Sequence, residues 1–152
     1  MSAMDDKIRA KILSLLAQHR KMTLATLRAD GWPQATTVGY GNDDLTIYFL
    51  CGPESQKAAN LARDERVSLA IDDDIGEVMA IEGLSMAARA HLVTDANEAE
   101  KALRLMMQRY PPQQVPLPTP NVADVSVFRV TPVVISLLDY SKGFGHTDLV
   151  AC

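Results

Sequence analysis

The sequence has little of what marks secreted, membrane or nucleic-acid-binding proteins. Two cysteines among 152 residues cannot form a disulfide framework, and no apolar stretch approaches the roughly 20 residues of a membrane helix. The net charge is −4, with acidic and basic residues interleaved, so no basic face is offered to nucleic acid. No apolar N-terminal run precedes a small-residue cleavage site. We therefore expect a cytoplasmic protein with neither a membrane nor a nucleic acid as partner.

The common motifs of dinucleotide-binding, triphosphate-binding and hydrolytic enzymes are also missing. There is no G-x-G-x-x-G after a first strand, no Walker-type loop and no G-x-S-x-G elbow. The histidines His19, His91 and His146 have no second ligand nearby in sequence, so no zinc or iron site is predicted. We interpret His19 as a charge at a helix end and His91 as a solvent-facing strand residue. An enzyme built from this chain needs a bound cofactor for its reactivity.

What the sequence does contain is a series of segments in which hydrophobic residues recur at a regular spacing. A period of 3.6 predicts three helices, and a period of two predicts seven or eight short strands. The predicted helices cover residues 5–19, 54–64 and 95–110. The predicted strands cover residues 22–27, 34–40, 45–51, 67–71, 77–83, 84–93, 125–131 and 133–139.

Short strands joined by tight turns are typical of an antiparallel barrel with helices packed outside. The expected fold is mainly β, an α+β protein with a six- to eight-stranded antiparallel barrel and flanking helices. At this length and 47% hydrophobic content, residues 1–152 fit one domain. Asp95 and Glu98 are spaced as a capping box for the third helix. The segment 111–120 holds five of the eight prolines, which predicts a stiff loop.

A candidate anion site lies where the strand at 45–51 ends and the second helix begins. Ser55, Gln56 and Lys57 stand at this joint. The first N–H groups of a helix are unpaired and attract anions, and a lysine beside them adds a positive charge. This arrangement predicts a phosphate site. The alternative is that Ser55 only caps a solvated helix.

The preceding strand predicts a site for a flat ring. QATTVGY, residues 34–40, is expected to pair with the strand at 45–51 as a hairpin, with Thr36 and Thr37 alternating with small and apolar residues. Such a strand can present backbone groups and hydroxyls to a planar ring. Flavin mononucleotide (FMN) combines a ring of this kind with a phosphate. Its substrate is expected over the open ring face, near Trp32, Tyr40 or the GFGH of the tail.

Three stretches of the chain together resemble the pyridoxamine 5′-phosphate oxidase-like family of FMN-binding split barrels. They are ATLRADGWPQATTVGY, IYFLCGPESQKAANLARDERVSLAI and the strand around AARAHLV. The resemblance runs from the N-terminal helix to the last strands. It implies a split β-barrel that forms a homodimer, with two FMN molecules at the subunit interface.

The resemblance also implies which residues bind the cofactor. The family's flavin-lining positions correspond to six residues here: Thr36, Thr37, Val38, Gly39, Leu50 and Cys51. Its phosphate contacts correspond to Ser55, Gln56 and Lys57. The members that form pyridoxal phosphate carry arginines where this chain has Thr36 and Gln56. A less positive phosphate site, and weaker FMN binding, are therefore expected.

Other departures argue against vitamin B6 synthesis. The family's true oxidases hold the substrate phosphate with a lysine where this chain has Gly41, and with Tyr, Arg and Ser where it has QQVPLPTP. Our leading hypothesis is an FMN-dependent oxidoreductase of unknown substrate and unknown catalytic residues. The alternative is a haem- or flavin-binding module without turnover. The tail DYSKGFGH is similar to a GFG segment of the haem-utilisation branch, which would make His146 the metal ligand.

Overall fold

The structure, a computed structural model, describes residues 2–110 and 120–152. The predicted stiff loop falls almost entirely outside these ranges. The described residues form three α-helices: α1 (Asp6–Gln18), α2 (Gln56–Arg63) and α3 (Ala96–Met107). The same ranges contain nine strands: β1 (Ser2–Ala3), β2 (Lys21–Leu27), β3 (Pro33–Gly39), β4 (Gly41–Asp43), β5 (Thr46–Cys51), β6 (Arg66–Asp72), β7 (Glu82–Leu92), β8 (Ser126–Asp139) and β9 (Thr147–Ala151).

The strands form one sheet that curls around the core. Its order is β1-β9-β8-β7-β6-β2-β3, and β5 joins it through β8 while also pairing with β4. All pairings are antiparallel except that of the two-residue β1 with β9. Apart from the short β1 and β4, seven longer strands make the sheet. The predicted fold class, an α+β protein with an antiparallel split barrel and flanking helices, is confirmed.

Alternating side chains build the core, as period-two strands require. On β2, β6 and β7 every second residue is buried, including Leu24, Leu69 and Met86. Helix α1 closes one end of the barrel with Ile12, Leu15 and Leu16, which are fully buried. Among the described residues, no helix is long and apolar enough to cross a membrane.

Two pairs of predicted strands are wrong, because in each pair the predicted boundary falls inside one continuous strand of the structure. Residues 77–93 do not form two strands: Val78–Ala80 is a 3-10 turn, and Glu82–Leu92 is one strand. The predicted strands at 125–131 and 133–139 are likewise one strand, Ser126–Asp139. Pro132 does not end it because the register with β7 shifts between Ala87 and Ala88, and proline is tolerated at such a bulge.

The predicted hairpin between residues 34–40 and 45–51 is also wrong. Strand β3 pairs with β2 along its whole length, from Lys21 opposite Gly39 to Leu27 opposite Pro33. The pairing with β5 is made by the three-residue β4 instead. The chain changes partner at Tyr40, whose side chain turns into the core and is 1% exposed. The tail, for which no strand was predicted, forms β9 along β8.

The predicted capping box of α3 is not formed. Asp95 caps the helix by accepting from Asn97 N at 3.3 Å, one residue earlier than a capping box requires. The Glu98 carboxylate turns away from the cap. It accepts from both Arg129 Nε and Arg129 Nη2 at 2.8 Å and from the Tyr48 hydroxyl at 2.9 Å. Glu98 therefore fastens α3 to the sheet.

Candidate functional site

The predicted phosphate site begins with a capped helix. Ser55 Oγ accepts from Ala58 N at 3.2 Å and donates to the Gly52 carbonyl at 2.7 Å. The capping interpretation of Ser55 is thus confirmed, but it uses only one of the free N–H groups. Within the described ranges, the backbone N–H groups of Gln56 and Lys57 have no acceptor. The start of α2 therefore keeps the donors that an anion needs.

Lys57 is the cation of this helix start. It is half-buried and has no hydrogen-bond or ion-pair partner within residues 2–110 and 120–152. Most other basic groups near α2 are paired, as Arg66 is with Asp64 at 2.7 Å. An ammonium group without a counter-ion, one residue into a helix, adds its charge to the positive end of the helix dipole.

The β3 residues lie on two faces of the strand. Thr36 and Val38 are half-buried and share the inward face, whereas Thr37 and Gly39 are exposed on the outward face. The Thr36 hydroxyl is buried and has no hydrogen-bond partner among the described residues. A buried polar atom without a partner costs about 1–3 kcal/mol, and a bound ligand relieves this cost.

Leu50 and Cys51, the two other residues predicted to line the flavin, are the last two residues of β5. Strand β5 pairs with β4 only at Thr46–Tyr48, so its last residues are unpaired on that edge. Strand β3 in turn ends the sheet, with β2 on one side only. The two strands come within 8 Å of each other between Cα atoms without forming a ladder. Each strand thus keeps an edge of backbone donors and acceptors outside a ladder, and α2 follows β5 in the chain.

A buried asparagine that the sequence reasoning missed connects these elements. Asn60 is 0% exposed. Its amide joins the side chain of Gln56 on α2 to Thr26 on β2 and Gln34 on β3. The signal was present in the sequence, since a polar residue beside Leu61 on the packed side of a short helix requires a partner. Periodicity alone does not reveal which partner.

Gly41 shows why the family's substrate lysine is absent. A Cβ atom at this position would lie 2.8 Å from both the Leu105 carbonyl carbon and the Met106 nitrogen. These are backbone atoms of α3, which cannot move aside as a side chain can. The packing of α3 on β4 therefore leaves no room for a lysine, or for any other side chain, at residue 41.

The residues predicted near the substrate are dispersed. Tyr40 is in the core, where burial raises its pKa to about 12, and its hydroxyl donates to the Leu16 carbonyl at 2.7 Å. It cannot face a substrate. Trp32 is 71% exposed at the tip of the β2–β3 hairpin. Phe144 is 79% exposed beside Tyr140, with 5.6 Å between the ring centroids.

The three histidines are separated in space as in sequence. His19 is 8% exposed at the end of α1, with its Nδ1 2.7 Å from the Leu15 carbonyl oxygen and its Nε2 3.1 Å from Asp73 Oδ2. His91 is exposed beside Glu65, as predicted. His146 is half-buried, with Nε2 3.3 Å from Asp148 Oδ2. No group of three or more metal-ligating side chains is found among the described residues.

Comparison with known proteins agrees with the fold. The family model described as pyridoxamine 5′-phosphate oxidase matches residues 8–139. The solved structure of a conserved hypothetical protein from Mycobacterium tuberculosis is 26% identical, with a TM-score of 0.78 and coverage of 96% of this chain and 92% of that one. No curated protein sequence matches the chain.

Two further solved structures are of longer proteins. A haem-binding protein from Mycobacterium smegmatis is 21% identical with a TM-score of 0.71, over 99% of this chain and 60% of that one. ChuZ from Campylobacter jejuni is 11% identical with a TM-score of 0.76, over 99% and 61%. At these identities the likeness shows a shared fold. From the match over residues 8–139 and the split-barrel topology, the chain belongs to the pyridoxamine 5′-phosphate oxidase family, without the substrate-phosphate residues of a true oxidase.

Proposed function

We propose that the protein binds FMN and acts as a flavin-dependent oxidoreductase on a substrate other than pyridoxamine phosphate. One observation carries the proposal. The buried Thr36 hydroxyl, which has no partner among the described residues, lies on β3, and Lys57 and the unpaired N–H groups lie at the start of α2, whose Asn60 contacts Gln34 of the same strand. These groups suit a ligand with an anionic end and a planar, hydrogen-bonding body.

The donor set fits a phosphate monoester. Lys57 offers a charge-assisted hydrogen bond, which is roughly twice as strong as a neutral one. The N–H groups of Gln56 and Lys57 add the favourable end of the helix dipole. With no arginine at Thr36 or Gln56, the lysine supplies the positive charge, and this supports the expectation of weaker FMN binding.

The proposed ring site lies along both strands. The β3 residues Thr36, Thr37, Val38 and Gly39 and the β5 residues Leu50 and Cys51 would hold the ring through backbone groups on the unpaired edges. Bound FMN would supply electron transfer, and these residues would orient it. The packing at Gly41 argues against pyridoxamine phosphate as the substrate. It leaves no space at this position for a side chain that could bind the substrate's phosphate.

The site also supports a homodimer, which we include in the proposal. Thr37 and Gly39 are exposed, so a flavin lying against them in one chain would be open to water. A second copy would cover it, and two chains with two FMN molecules at the interface would complete the sites. We further propose that residues 1–152 act as a single FMN-binding domain in the cytoplasm. Sedimentation equilibrium at micromolar concentration is expected to give about twice the chain mass of 16.6 kDa. A monomer in the presence of saturating FMN would contradict the shared site.

The phosphate contact is tested by replacing the lysine. Lys57→Met keeps the length of the side chain and removes its charge, so the FMN dissociation constant is expected to rise about 10- to 30-fold. Quenching of flavin fluorescence on titration measures this constant. Lys11→Met is the matched control, because Lys11 pairs with Glu82 at the start of β7. Equal FMN binding by Lys57→Met and the control would mean that the phosphate lies elsewhere.

A haem- or flavin-binding module without turnover is the second candidate. It is favoured by the solved haem-binding neighbour of the same fold and by the glycine-flanked His146. Its Nε2 is already near Asp148, so it would have to leave this carboxylate to bind iron. A Soret band on haem addition that is lost in His146→Ala would support this candidate. A bound flavin that a specific acceptor reoxidises at an enzymatic rate would reject it.

A further inference from the structure

The side-chain amide of Asn60 forms all the hydrogen bonds that it can form. Its Oδ1 accepts from Gln56 Nε2 at 2.8 Å and from Arg63 Nη2 at 3.3 Å. Its Nδ2 donates to Thr26 Oγ1 at 2.9 Å and to Gln34 Oε1 at 3.3 Å. An asparagine side chain offers two donor hydrogens and one acceptor oxygen with two lone pairs. All four are paired, at 0% exposure.

The partners of Asn60 are the neighbours of the proposed cofactor groups. Thr26 and Gln34 stand opposite each other in the β2–β3 ladder. Gln34 precedes Thr36 by two residues on the same face, which places their Cα atoms about 7 Å apart. On the helix, Gln56 is one turn before Asn60 and directly before Lys57. The amide therefore joins the first turn of α2 to the strand that carries the unpartnered hydroxyl.

This connection fixes the orientation of α2 about its own axis, which apolar packing alone would define poorly. The packed side of the helix is thin, with Leu61 as its one large buried apolar side chain. Arg63 adds a second tie by donating to the Leu27 carbonyl at 3.0 Å. Hydrogen bonds are directional, so those at Asn60 and Arg63 restrict rotation of α2 about its axis. A buried polar network whose members are all hydrogen-bonded also makes the local structure more rigid.

We propose that Asn60 is a positioning residue that sets the preference of the site for phosphorylated over unphosphorylated flavin. This inference rests on the proposed FMN function. Asn60 is too deeply buried to touch the ligand. It acts by holding the backbone N–H groups of Gln56 and Lys57 at a fixed position relative to β3, so that both reach the phosphate while the ring lies along the strand. Riboflavin, which has the same ring and no phosphate, gains nothing from that alignment.

The test compares FMN with riboflavin in the same variant. Asn60→Leu conserves volume and removes all four bonds. The ratio of the riboflavin to the FMN dissociation constant is expected to fall about tenfold, while riboflavin binding itself changes less than about twofold. Thr26→Val removes one bond with little change of shape and is expected to lower the ratio in the same direction by a smaller factor. Both constants are measured by fluorescence quenching.

Tyr48→Phe provides the control for loss of stability alone. It removes a hydrogen bond to Glu98 in a separate polar cluster, and the flavin ratio is expected to stay at the wild-type value. If Asn60→Leu does not fold, Thr26→Val carries the same test. A wild-type ratio in a folded variant lacking the Asn60 or Thr26 bonds would overturn the positioning role and leave the proposed FMN function standing. Equal affinity of wild-type protein for FMN and riboflavin would instead overturn the phosphate site, and the positioning role with it.

Discussion

The guanidinium of Arg109 lies 5.0 Å from the centroid of the Tyr40 ring. From this position Arg109 Nη1 donates to the carbonyls of Leu16 and His19, at 2.5 and 2.8 Å. Tyr40 donates its hydroxyl to the same Leu16 carbonyl. One arginine after α3 thus donates to two carbonyls at the end of α1, and at Leu16 it shares the acceptor with Tyr40.

Removal of this arginine is expected to destabilise the fold. Arg109→Ala loses two charge-assisted hydrogen bonds and a cation–π contact, and it removes the donor to the His19 carbonyl, so the free energy of unfolding should fall by about 2–4 kcal/mol. Urea unfolding followed by circular dichroism measures it. Arg104→Ala, at an exposed position on α3, is the control and should change it by less than about 0.5 kcal/mol. A similar loss in both variants would contradict the capping role.

Glu98 is expected to make stability depend on acid. The hydrogen bonds from Arg129, followed by that from Tyr48, lower the pKa of Glu98 to about 2. The pKa is lower in the folded than in the unfolded chain, so this stabilisation is present above the unfolded value and is lost as pH falls toward 2. As the pH is lowered from about 5 to about 2.5, the unfolding free energy of Glu98→Gln should fall less than that of wild type.

The Glu98 comparison needs a carboxylate control from the same helix. Glu100 is exposed on α3, and Glu100→Gln should follow the wild-type acid profile. Denaturant titrations at a series of pH values give the profiles of all three proteins. Parallel profiles for wild type and Glu98→Gln would show that the Arg129 pair does not contribute to acid sensitivity.

Gly41 is expected to tolerate no side chain. Gly41→Ala places a Cβ against the backbone of α3, and such overpacking typically costs about 1–3 kcal/mol. Thermal unfolding is expected to show a clear fall in Tm. Gly76→Ala is the control, since nothing lies within 4 Å of a Cβ built there. An unchanged Tm in Gly41→Ala would mean that α3 yields, and that a lysine at this position is not excluded by packing.

The sequence predicted local structure better than strand partners. The helices, the Ser55 cap and the barrel class follow from periodicity and capping chemistry, which act over a few residues. The change of partner at Tyr40 does not, because the pattern of alternation continues through the residue that turns inward. Pro132 suggested a break since proline cannot donate to a ladder, yet a shift in the register of β8 against β7 accommodates it.

The same contrast between local and long-range features holds for the candidate site. The helix start at Ser55, Gln56 and Lys57 could be predicted because such a start has a local signature in the sequence. Asn60 was missed because its partners lie on β2 and β3, far away in the chain, and only the tertiary structure brings them together. The strand residues could be named from resemblance, but their division between two faces of β3 appears only in the folded chain.

The most direct test of the central claim is the visible absorbance spectrum of freshly purified protein, followed by mass identification of the molecule released on denaturation. If the start of α2 and the gap between β3 and β5 form an FMN site, the protein should show the visible absorbance bands of a flavin, either as purified or after FMN is added, and should release FMN on denaturation. A colourless protein that also leaves the fluorescence of added FMN unchanged would contradict the account.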